Sequence, residues 1–179
     1  MTRKVIAISC ITIQILLLSV SSRANNLYSI SEVRALYGKG VDDAGAAKKL
    51  MQLLSPLTSA DPLLFAYKGG AEALEAKHAW NPYTKLNYLS KSMSTLDQAI
   101  KVDPENAEIR FIRFSIQYHI PQFLGYSKNL DEDAHMIAEN FFQLKKSLDQ
   151  KTLQDIAEFL NNSGSCSISD SQIIRGMLE

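Results

Sequence analysis

Apolar residues recur along this chain at steps of three and four, the spacing that keeps side chains on one face of an α-helix, and no stretch alternates as a half-buried strand does. The pattern predicts an all-α protein. After an N-terminal apolar run, Ser29 or Ser31 can cap a short helix that runs through Tyr37 and is ended by Gly38 and Gly40. Asp42 or Asp43 opens a second helix through Leu54. Asp61, with Pro62 at the first helical position, opens a third that runs to about Trp80, where Asn81 and Pro82 break it. A fourth helix over 83–101 keeps Leu86, Leu89, Met93, Leu96 and Ile100 on one face, and Asp103 with Pro104 ends it and starts the next. A helix over 109–120 follows, then a turn at "PQFLGYSKN". One long amphipathic helix carries Leu130, Ala134, Ile137, Phe141, Leu144 and Leu148 on one side. Near the end stand a helix over 152–160, a polar stretch over 161–170 predicted to be a flexible linker, and a short C-terminal helix over 172–178. About six to eight helices in one domain result.

The helix over 109–120 is apolar on two sides. At 100° per residue Ile109, Ile112, Ile116 and Ile120 share one sector, and Phe111, Phe114 and Tyr118 share the opposite one. Arg110, Arg113 and Gln117 fall together in the strip between. That strip is expected to be a solvated polar edge whose guanidinium groups reach water or acids such as Glu108, Asp131 or Asp133. The functional alternative is a surface that grips a partner's carboxylate.

The first residues bear on the compartment. Arg3 and Lys4 precede a run over 5–20 without charge, and Ser22 and Ala24 are the small residues that a signal peptidase requires, so 1–24 is expected to be a signal peptide and 25–179 the exported, periplasmic or secreted domain. The run is short of the roughly 20 residues a membrane-spanning helix needs. The whole chain carries 19 basic and 19 acidic residues, and loss of Arg3, Lys4 and Arg23 leaves 16 against 19. Such a surface lacks the clustered cations that nucleic acid requires, and no nucleic-acid partner is expected. Loss of Cys10 with the leader leaves Cys166 alone, so no internal disulfide forms and the fold rests on its core.

Candidate chemistry is sparse. In "DEDAHMIAE", Asp131, His135 and Glu139 stand at successive steps of four and offer a weak metal-ligating face, whose plainer interpretation is a solvated edge. There is no nucleophile motif and no phosphate-binding glycine loop; no cofactor is expected. Gly69 and Gly70 lie inside a helical pattern and point to close helix packing. Cys166 has no basic neighbour to activate it. Trp80 and Tyr83 are expected to pack on each other across the Asn81-Pro82 turn, with the group Trp80, Tyr83 and Tyr88 stacking on a sugar or a base as the alternative.

The segment "LNYLSKSMSTLDQAIKVDPENAEIRF" resembles the second helix and junction of a tetratricopeptide repeat: Ser92, Leu96, Ala99 and Pro104 occupy that family's small, large, small and proline positions. Departures are Arg110 where the family places a bulky aromatic, Phe114 where it places a small residue, and 42 residues between the two Asp-Pro pairs. The run "EIRFIRFSIQYHIPQFLGY" after a signal peptide is also similar to small exported bacterial proteins of unknown function. The resemblance implies stacked helical hairpins with Pro104 in the first turn of its helix. It also implies a non-enzymatic protein-interaction or assembly module, with Arg110, Arg113, Gln117, Trp80 and Tyr83 as candidate partner-binding residues. Two alternatives are a metal-dependent binder or enzyme using Asp131, His135 and Glu139, and a self-associating envelope protein.

Overall fold

The computed structural model describes residues 29–179, so the leader expected over 1–24 lies outside the described residues. Local caps account for most helix starts. Helix α1, Ile30–Gly40, begins after Ser29, whose carbonyl accepts the amides of Glu32 and Val33. The Asp43 carboxylate accepts the Gly45 and Ala46 amides at the head of α2, Ala44–Leu54. Asp61 accepts the Leu64 amide ahead of Pro62 and starts α3, Pro62–His78. Asn81 does the same for α4, Pro82–Val102, and Asn106 for α5, Ala107–His119. These are the side-chain acceptors that orphan amides at a helix start require. A 3-10 turn, Gln122–Leu124, closes at Gly125 in the left-handed region (φ 72°), where glycine meets no steric penalty. Then come α6, Leu130–Glu139; α7, Phe141–Ser147; α8, Gln150–Asn162; and α9, Ile168–Leu178. Nine α-helices and no strand stand among the described residues.

Four boundaries differ from the sequence expectation. Gly38 does not stop α1, which runs on through Gly40 with neither glycine at positive φ. Pro104 lies in the turn before α5 rather than in its first turn, because Asn106 holds the Glu108 and Ile109 amides and so fixes the start at Ala107. The single long helix expected through Leu148 is two. Asn140 sends its side-chain amide to the Met136 carbonyl at 3.1 Å, a competitor for the backbone bonds of the continuing helix, and α6 ends there. This break raises the count to nine. At the C-terminus, α8 extends to Asn162 and α9 starts at Ile168, because Ser167 and Asp170 form a reciprocal capping box inside what was expected to be linker.

Residues Ala35–Glu179 form one compact unit. Within it, α3 packs on α4 over its whole length, on α2 and on α5, while α5 packs on α6. The two adjacent glycines of α3 explain its close neighbours. A Cβ on Gly69 would lie 2.8 Å from Leu96 Cγ on α4, and one on Gly70 would lie 2.7 Å from the Tyr37 ring on α1. Ser92 is small enough to reach the same level of α4 and donates its hydroxyl to the Gly69 carbonyl at 2.7 Å. Around Phe114, Phe141, Ile137, Leu144, Leu153 and Leu160, helices α5 to α9 enclose an apolar cluster whose members are at most 5% exposed.

Candidate functional site

Helix α5 carries the arginine strip, and the structure corrects its expected exposure. Arg110 and Arg113 are each 5% exposed and Gln117 is 3% exposed, because α6 packs along α5 and covers the strip. The counter-charge comes from Asp133, itself fully buried. Arg113 grips it as a fork, Nε to Oδ2 at 2.8 Å and Nη2 to Oδ1 at 2.7 Å, and Arg110 Nη1 adds a bond to Oδ1 at 2.9 Å. The remaining donors go outward: Arg113 Nη1 to Asp97 on α4 (2.9 Å), Arg110 Nη1 to Glu132 (2.6 Å) and Arg110 Nε to the Pro104 carbonyl (2.8 Å). Burial alone would lower the Arg113 pKa, but the bonds it donates to Asp133 and Asp97, with their charges, more than offset this and raise it. The Arg110 hydrogen bond holds the Glu132 carboxyl below its ordinary range despite partial burial. Gln117 binds Asn129 in both directions, side-chain amide to Oδ1 and carbonyl to backbone N–H. A guanidinium so engaged ties α4, α5 and α6 together and is not presented to a partner.

Trp80 and Tyr83 behave oppositely. Instead of packing on each other they are 101% and 85% exposed. The physical reason lies in the cap. With Asn81 as the N-cap, an apolar residue at Trp80 would staple to the fourth helical position. That position is Lys85, whose ammonium turns to the Lys77 carbonyl at the end of α3 (3.3 Å). Trp80 therefore finds no partner on α4 and projects into water from a turn fixed by the Tyr83 and Thr84 amides, which both donate to Asn81 Oδ1.

Asp131, His135 and Glu139 are exposed on α6, and His135 turns away from a shared ligand position: its Nδ1 donates to Asp170 on α9 at 2.9 Å. Among the described residues no group of three or more His, Cys, Asp or Glu side chains is arranged to hold a metal ion. The hydrogen bond to Asp170 raises the His135 pKa above its ordinary 6.5. Burial pushes the Asp170 carboxyl up, but its bonds with His135 and Ser167 outweigh this and leave it below 3.8. The sign follows from linkage. The raised histidine stabilises the fold below its unfolded pKa and loses that contribution as pH rises through the folded value; the lowered carboxylate stabilises above its unfolded pKa and loses that contribution as pH falls through the folded value. The His135 side chain is 57% exposed, so solvent screens the pair and the effect is small. The thermal midpoint of wild type should exceed that of His135→Ala by more at about pH 5.5 than at about pH 8. An equal gap at both pH values in a melting series would remove the contribution.

Three acids are buried anchors: Asp133 and Glu108 were expected as partners of the arginines at a solvated edge, Asp133 does pair with them but inside the fold, and Glu72 was not singled out in the sequence. Besides Asp133, Glu108 accepts the Tyr67 hydroxyl at 2.7 Å between α5 and α3. Glu72 on α3 is fully buried, with Oε2 accepting from Thr95 at 2.7 Å. Lys91 stands 3.2 Å from Glu72 Oε1, close enough to balance the charge, but Oε1 has no hydrogen-bond partner. The available signal was the company of these acids: a charge inside a run of helix-spaced apolar residues needs a buried partner on a neighbouring helix. Cys166 is half-buried, and burial together with the Asp170 charge pushes its thiol up to about 11, which keeps it protonated and unreactive.

No helix among the described residues is long and apolar enough to cross a membrane. Compared with protein-family models, with curated proteins and with solved structures, the chain matches none.

Proposed function

We propose that this chain is an exported, non-enzymatic protein-interaction or assembly module whose contact residues are Trp80 and Tyr83 at the α3–α4 turn. The observation that carries this reading is the full exposure of the chain's one tryptophan on a turn held by its own cap. Tryptophan and tyrosine bring large apolar area at little conformational cost and dominate the energetics of protein contacts, so an ordered aromatic pair in water is a ready anchor. The order of packing, α3 on α4 and α5, and α5 on α6, supports the stacked-hairpin arrangement that the tetratricopeptide resemblance implies. The arginine strip serves that scaffold in this reading. Periplasmic or secreted location rests on the leader over 1–24.

The test is capture from envelope extract with wild type and with the double variant Trp80→Ala/Tyr83→Ala. Stability should change by less than about 0.5 kcal/mol, because both side chains are already in water. Capture of a specific partner should fall by an amount equivalent to about 2 kcal/mol or more. Equal capture by both proteins would refute the assignment.

A further inference from the structure

Helix α4 and the α5–α6 connection line an open groove of about 540 Å³. Its size lies within the range of small-ligand sites. Buried Met93 and Gln117 form the floor, Ser94, Asp97 and Lys101 stand on the α4 side, and Tyr126 and Lys128 stand on the loop side. The loop wall is anchored: Ser127 donates to the Gln117 and Ile120 carbonyls, and the Asn129 amide donates to Gln117 Oε1 at 3.1 Å.

The charge of this groove is a consequence of the buried network beneath it. Asp97 and Lys101 are four residues apart on α4, the spacing at which an acid and a lysine ordinarily pair on a helix surface. Asp97 instead turns to Arg113, at 2.9 Å, and Lys101 is left without an acidic partner among the described residues. Glu132, in the first turn of α6 just after the loop that bears Lys128, is likewise taken by Arg110 and by the Asn129 side-chain amide. Arg110 and Arg113 thus pair with the local acids Asp97, Glu132 and Asp133, so that Asp97, which stays half-exposed on the groove wall, is balanced by Arg113 while Lys101 and Lys128 face the groove from its two sides. Ser90, Ser94 and Tyr126 also line the groove and carry hydroxyls that can donate.

We infer that this groove binds a compact organic anion, one bearing a carboxylate or phosphate group, with Lys101 and Lys128 as its counter-charges. Ammonium groups act as point charges toward either anion, and the hydroxyl donors suit both. The site is separate from the Trp80 turn, and its occupancy does not depend on the protein contact proposed there.

The experiment is a titration of the ¹⁵N-labelled protein with inorganic phosphate and, separately, with succinate, at constant ionic strength. The amides of Lys101, Gly125, Lys128 and Asn129 should shift and saturate together with at least one of the two probes. Saturation with phosphate, with succinate or with both identifies the anion class. In the double variant Lys101→Gln/Lys128→Gln the dissociation constant should rise about tenfold or more. Lys48→Gln, a surface change on α2, should leave it unaltered. Added sodium chloride should weaken binding, since the contacts are open to screening. Shifts that grow linearly without saturating for both probes, or equal affinity in the double variant, would overturn the assignment. A folded spectrum of the variant confirms that any loss belongs to the groove.

Discussion

Asp133→Ala should destabilise the protein by about 3–5 kcal/mol, the cost of removing one partner from a buried ion pair. Asp133 is fully buried and receives three hydrogen bonds from two guanidinium groups that are themselves 5% exposed. Its removal leaves both arginines with outward partners only, Asp97 and Glu132, whose side chains are half in water. Urea unfolding followed by far-ultraviolet circular dichroism measures the loss. A change below about 1.5 kcal/mol would place the pair in the class of exposed ion pairs and contradict the burial described above. Removing all three charges together makes a sharper distinction. Arg110→Met/Arg113→Met/Asp133→Leu should recover much of the stability that Asp133→Ala loses, because apolar groups of similar volume leave no charge uncompensated. Recovery in the triple variant locates the penalty in stranded charge rather than in a lost cavity wall.

Phe114→Ala should cost about 3–5 kcal/mol by emptying the centre of the C-terminal cluster. Phe114 is fully buried on α5, its ring centroid 5.7 Å from that of Phe159 on α8 in an edge-on arrangement. Phe159 in turn meets Phe111 and Tyr118, so one ring from α8 is held by three from α5. Deleting the buried member removes transfer energy and leaves a void that the capped helices around it cannot close. The same denaturation experiment checks it. Phe114→Ala within about 1 kcal/mol of wild type would mean that α5 and α8 can collapse onto each other, against the close packing described.

What was legible in the sequence was what is settled locally. Asp43 and Asp61 begin helices because a carboxylate side chain answers the orphan amides two or three residues ahead, whatever the tertiary structure does; Asn81 was legible as a break, though not as the cap that starts α4. The stripe Ala134, Ile137, Phe141, Leu144 was legible as a buried face even though Asn140 divides the helix that bears it. The glycine pair was legible as close packing, although which helix each residue admits was not. The fate of the arginine strip depended on a residue 20 positions away from Arg113. Helical spacing placed Arg110, Arg113 and Gln117 together correctly, but the strip is buried or wet according to the helix that covers it, and periodicity within one helix carries no information on that. In "DEDAH" Asp133 was legible as one of several acids within reach of the arginines, but that it faces the core while Asp131 stays in water was not, for the same reason. Trp80 failed by a different route, since burial of an aromatic beside a turn depends on what stands at the stapling position, and there it is a lysine.

The exposure of Trp80 has a spectroscopic side. With one tryptophan in the chain, and that one as open to water as in an extended peptide, its emission reports the solvent in the native and the denatured protein alike. Intrinsic tryptophan fluorescence is therefore nearly blind to folding here and sensitive to whatever touches the α3–α4 turn. An ordinary unfolding probe becomes a background-free optical sensor of association, readable without label or mutation.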